Sequence, residues 1–126
     1  MLSFDRIRAR AAERCDGAAE LRTRLPVPMT ADELRALGDD RYLSLMSLRV
    51  FRAGLKHSLV DARWPAFETV FAGFAPLKVR AMSEEALMSD RRLIRHWGKL
   101  KSVHANAAAF CALAQEAGSF GRYLAD

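Results

Sequence analysis

Cysteine is scarce in this chain. Cys15 and Cys111 stand near opposite ends and match no metal-ligand spacing. That argues against a disulfide scaffold and against a zinc site, and it reads as two free thiols in a reducing compartment. No metal and no cofactor is expected. Proline and glycine are also few, four and seven in 126 residues, so little interrupts helical segments. No apolar run approaches the ~18 residues of a membrane span. The first residues include Asp5 and Arg6 in place of an apolar signal core. The expectation is a soluble, cytoplasmic protein with no membrane partner. Internal repeats and low-complexity segments are absent as well.

What the chain does have is alanine, 22 residues of it. Alanine is the best intrinsic helix former, and this composition points to an all-α fold. The length suits a single helical domain spanning 1–126. The net charge of +5 is unevenly spread. Residues 41–101 hold twelve basic and five acidic groups, while the flanking segments are each slightly acidic. A local basic excess points to an acidic partner such as nucleic acid, or else to a solvated arginine-rich surface.

Helical periodicity runs through most of the chain. Ser3 caps a first helix ending near Cys15, with Phe4, Ile7, Ala11 and Ala12 on one stripe. Pro26 and Pro28 hold the next stretch extended. Thr30 and Glu33 then form a capping box, and Gly38 ends the short helix it opens. Asp39 or Asp40 is expected to cap a long helix near residues 40–62, with Leu43, Met46, Val50, Phe51, Leu55, Leu59 and Val60 on its apolar face. Trp64-Pro65 is expected to close it and open another. Ser83 caps a short helix, and a second long helix is expected near residues 91–117, with Gly118 as its stop. The chain closes on Leu124-Ala125-Asp126 just after a new amphipathic turn begins, so a domain truncated at its C-terminal end is expected.

Three strings stand out, in this order along the chain. They are Met46-Ser47-Leu48-Arg49-Val50-Phe51-Arg52-Ala53-Gly54-Leu55, then Phe74-Ala75-Pro76-Leu77-Lys78-Val79-Arg80-Ala81-Met82, then Ile94-Arg95-His96-Trp97-Gly98-Lys99-Leu100. Their order and spacing over roughly residues 40–110 resemble the DNA-3-methyladenine glycosylase I family of the helix-hairpin-helix glycosylase superfamily. The resemblance implies an irregular multi-helix domain like the front half of such an enzyme. It also implies a DNA-repair activity that hydrolyses the N-glycosidic bond of alkylated bases. The alternative is a non-catalytic DNA-binding or interaction module built on the same fold, or a helical domain with neither role.

The resemblance also marks departures. Where the family carries an L-E-G-x-Q-A-G-L-S-W pattern, the glutamate position is Arg49 and the tryptophan position is His57. Cys15 lacks the family's zinc-site context. N-glycosidic hydrolysis builds positive charge on the sugar, which a carboxylate commonly stabilises, and the base must first be flipped into an aromatic pocket. Arg49 would repel a cationic base. The options are a pocket for a different base, an Arg49 aimed at phosphate, or a pocket without catalysis. His57 could stack on a base or simply end a helix. Arg49, Phe51 and His57 are therefore the base-pocket candidates, no residue is assigned as catalytic, and Phe51 and Trp97 read first as core residues.

Residues 91–101 hold five basic groups and no acid. On a continuous helix Arg92, Arg95 and Lys99 fall on one side. That row is the candidate for DNA phosphate contact, against the alternative of a solvated face. If part of a larger fold is missing, an apolar face is left uncovered, and a homo-oligomer is one way to bury it.

Overall fold

The structure is a computed structural model that describes residues 1–126. It contains nine α-helices and no strand. They are α1 (Phe4–Glu13), α2 (Ala18–Arg24), α3 (Ala31–Ala36), α4 (Asp39–Arg52), α5 (His57–Val70), α6 (Pro76–Arg80), α7 (Glu84–Ser89), α8 (Trp97–Ala117) and α9 (Phe120–Ala125). A single left-handed turn, Ala72–Phe74, joins α5 to α6. The all-α reading of the composition holds.

The caps explain where several helices start. Ser3, Thr30, Ser83 and Ser119 each accept a backbone N–H from the first turn of their helix. Thr30 and Glu33 form the reciprocal box expected of them. Gly118, with φ of 88°, ends α8 in the left-handed conformation that glycine adopts without cost. Asp39 does not cap α4, which starts from Gly38. Its carboxylate instead accepts the backbone N–H of Phe120, tying α4 to α9.

Helix α8 is the spine. It packs against α4, α6, α7 and α9 and buries Leu100, Val103, Ala107, Phe110 and Cys111. Beside it Phe51, Trp64, Phe67, Phe71 and Phe74 form one aromatic cluster, with neighbouring ring centroids 4.8–6.1 Å apart. Within the cluster Phe51, Phe67, Phe71 and Phe74 are fully buried, and full burial of each such side chain contributes about 1.5–3 kcal/mol. A polar chain closes its edge. Trp64 donates to Ser44 Oγ, Ser44 donates to Glu68, and Arg41 grips Glu68 with two parallel bonds of 3.0 Å while also reaching the carbonyl of Gly73. That last bond helps hold the turn in which Ala72 and Phe74 sit at positive φ, a conformation side chains disfavour. The α1–α2 hairpin packs only on itself, so Phe4 and Ile7 remain exposed and do not join the core.

Three helix boundaries differ from the sequence reading. The expected helix over 40–62 is two helices, because residues 53–56 form a turn with Gly54 at φ of 74°. Trp64-Pro65 does not break the chain, and Pro65 lies within α5. Its ring removes one N–H and frees the carbonyl of Asp61, but both residues face solvent, where water replaces the bond. The second long helix begins at Trp97, not at Arg91. Residues 91–96 form a turn and an extended entry, and His96 caps α8 by accepting the N–H of Lys99. Gly98 sits in the first turn and causes no break.

Candidate nucleic-acid interface

The turn at 53–56 organises the site. Arg49 projects from the last turn of α4 and His57 is the first residue of α5, so the two flank the turn from either side, and both are exposed. Neither makes a side-chain hydrogen bond or ion pair. Phe51 is two residues beyond Arg49, about 200° around the helix, and so faces the opposite way. It is completely buried, in edge-to-face contact with Phe67 at 4.8 Å. Phe51 therefore belongs to the aromatic core and is removed from the base-pocket candidates. Trp97 corrects in the other direction. It is 42% exposed, with Lys101 Nζ 5.3 Å from its ring centroid.

Arg92, Arg95 and Lys99 do not form a row, since only Lys99 lies on α8. Each has a different environment. Arg92 folds back onto Asp90, donating from Nε at 3.0 Å and Nη2 at 2.7 Å, while its backbone N–H also bonds that carboxylate. These bonds hold the Asp90 carboxyl down to about 2. Lys99 is half-buried, and its ammonium donates to the carbonyls of Phe51 and Ala53. Those are orphan carbonyls at the C-terminal end of α4, where a cation is favoured by hydrogen bonding and by the helix dipole. Lys99 is thus a staple between α8 and the α4–α5 turn. Arg95 alone stays free.

Arg95 has company that the sequence did not suggest. It lines an open concavity of about 470 Å³ together with Arg63 of α5 and Arg91 of the loop before α8. Leu59, Leu93 and Ile94 supply the apolar part of the wall, with Leu93 almost fully buried. Arg91 was visible in the basic stretch. Arg63 carried no signal, because only the packing of α5 beside residues 91–95 brings it there.

The acids of the middle region are committed elsewhere. Asp61 accepts from Arg52, Asp90 from Arg92, and Glu85 from Ser83. Glu84 approaches His104 at 3.8 Å. Burial opposes ionisation of Glu68, but hydrogen bonds from Arg41 and Ser44 outweigh it and its pKa falls below the ordinary value. A lowered pKa is the opposite of what a general acid needs near neutral pH. No group of three or more histidine, cysteine or acidic residues is arranged to hold a metal ion. No helix is long and apolar enough to cross a membrane.

Comparison with known proteins gives these positions a context. A family model described as methyladenine glycosylase matches residues 34–126. DNA-3-methyladenine glycosylase 1 of Escherichia coli (strain K12) is 31% identical over 83 residues, which cover 64% of this chain and 44% of that protein. The 3-methyladenine DNA glycosylase I of Staphylococcus aureus, solved to explain its 3-methyladenine recognition, superposes with a TM-score of 0.63 at 27% identity. That match covers 69% of this chain and 48% of the other. A variant of 3-methyladenine DNA glycosylase I in complex with 3-methyladenine gives a TM-score of 0.65 at 23% identity, a likeness of fold that extends over 90% of this chain and 61% of the other. The chain spans about half the length of the relatives it matches. With a match over residues 34–126 that takes in both the α4–α5 turn and the α8 spine, the chain belongs to the methyladenine glycosylase family.

Proposed function

We propose that this protein works in DNA repair as a glycosylase of the 3-methyladenine type, acting on alkylated bases in DNA. The observation that carries the reading is the family match over residues 34–126, joined to a fold shared with 3-methyladenine DNA glycosylase I. The basic excess of residues 41–101 agrees with a DNA partner. Within these 126 residues, Arg49 and His57 flank the turn where a flipped base would be met. Arg49 offers a cation where oxocarbenium-like charge would need a carboxylate. The neighbouring acids are paired with other side chains. The 126 residues are therefore assigned to DNA and base recognition, and not by themselves to hydrolysis.

Incubating the 126-residue chain with methylated DNA and separating the free bases by chromatography tests this division. No free 3-methyladenine above background is expected. Release that disappears on Arg49→Ala or His57→Ala substitution would show that this chain hydrolyses unaided. Failure to bind duplex DNA at low salt would remove the DNA reading altogether. Leu45 and Met46 of α4, Leu55 of the turn and Leu59 of α5 are exposed, and a homo-oligomer is the proposed means of covering them. Light scattering coupled to size exclusion checks that, and a monomer at all concentrations would refute it.

A further inference from the structure

Five arginines between residues 41 and 101 have no acidic partner, namely Arg49, Arg63, Arg80, Arg91 and Arg95. Three of the five line a single concavity, and no acid lines it with them. The other arginines of this region show the alternative. Arg41, Arg52 and Arg92 each hold a carboxylate within 3.0 Å. Guanidinium groups gathered around one hollow repel one another unless a counter-charge enters it. The apolar wall of Leu59, Leu93 and Ile94 lowers the local polarisability and strengthens any ion contact made there.

We propose that the hollow bounded by Arg63, Arg91 and Arg95 is a binding site for a backbone phosphate of a DNA strand. Guanidinium presents a planar fork of donors that matches phosphate oxygens two at a time, and it does so better than an ammonium. The volume of about 470 Å³ leaves room for more than a phosphate, and the accessible Leu59 and Ile94 side chains suit the apolar face of a deoxyribose. Location supports a strand over a small free anion. Leu59 and Arg63 lie on the same helix as His57, and Arg63 is about 9 Å further along its axis. Six residues also turn the helix by about 240°, so the hollow lies on a different side of α5 from His57. It would take a phosphate further along the strand than the one beside a base met at the Arg49–His57 turn. The proposal rests on the DNA reading above. It replaces Arg92, Arg95 and Lys99 as the phosphate contacts with Arg63, Arg91 and Arg95.

The test uses the full chain and a short fluorescein-labelled duplex, titrated by anisotropy across a salt series. The variant is the triple change Arg63→Gln, Arg91→Gln and Arg95→Gln. All three side chains are exposed, so the fold should survive, and circular dichroism confirms it. A matched control, Arg6→Gln with Arg8→Gln and Arg10→Gln, removes the same charge from the detached α1. The hollow variant should lose about tenfold or more in low-salt affinity. Its slope of log affinity against log salt should flatten by about 0.9 for each phosphate that is no longer neutralised. The control should keep the parent slope. If the parent binds duplex and the hollow variant binds it equally, or if the control loses as much, the hollow is not the phosphate site although the DNA reading stands. A second measurement follows the arginine Nε–Hε resonances during titration with inorganic pyrophosphate. Saturable shifts at Arg63, Arg91 and Arg95 in a chain that binds no DNA would make this a small-anion site and overturn the strand assignment. Silence in both titrations overturns the site and the DNA reading together.

Discussion

Replacing Lys99 with methionine separates a structural staple from a group that binds DNA. Methionine keeps most of the apolar stem and removes only the ammonium. The interactions of that ammonium can be weighed one by one. The bond to the Phe51 carbonyl is 3.1 Å long and half-buried, so as a charged hydrogen bond it contributes about 1.5 kcal/mol. The bond to the Ala53 carbonyl is exposed, and water recovers most of it, leaving about 0.5 kcal/mol. The ammonium lies 6.0 Å from the Phe51 ring centroid, at the outer limit of cation–π attraction, and adds little. The sum is about 2 kcal/mol. A domain of this size melts about 4 °C lower for each kcal/mol of destabilisation, so K99M should melt about 8 °C below the parent at neutral pH. Differential scanning calorimetry measures that directly, and the salt slope of duplex binding should stay at the parent value. A melting temperature within about 2 °C of the parent, with a salt slope flattened by about 0.9, would refute the staple and return Lys99 to the groups that hold phosphate.

Two further substitutions probe the frame. Glu68→Gln removes the negative charge and one of the two acceptor oxygens that serve Arg41 and Ser44 and should cost about 1–2 kcal/mol at neutral pH, discounted because Arg41 is partly exposed. The folded pKa of Glu68 lies below its ordinary 4.5, so this contribution is complete above pH 4.5 and fades as pH drops through the lowered value. Thermal melts of parent and variant should therefore converge in acid, and a constant gap at every pH would contradict the ion pair. Gly121→Ala should destabilise by about 1–3 kcal/mol, because a Cβ there runs into the backbone carbonyl of Leu34, where α9 crosses α3. Urea unfolding tests it, and a neutral result would mean that α3 and α9 do not pack this closely.

Much of the fold was written locally. Alanine content, the serine and threonine caps and the glycine stop at Gly118 act within a few residues of themselves, so the sequence alone determined an all-α chain and several helix ends. The motifs, read in order, likewise pointed to the family. Where long-range contacts compete with local preference, the sequence was silent. The 40–62 stripe kept its period across residues 53–56, yet a lysine from α8 takes the carbonyls there and Gly54 turns the chain. The apolar stripe already placed Phe51 in the core, whereas Trp97, read the same way, is left 42% exposed by the packing. The candidate site shows the same division. Charge counting found the basic region because charge is a property of residues taken singly. Which arginines are free was decided by whether a carboxylate folds within reach, as Asp90 does for Arg92, and by the packing that sets Arg63 beside Arg91 and Arg95.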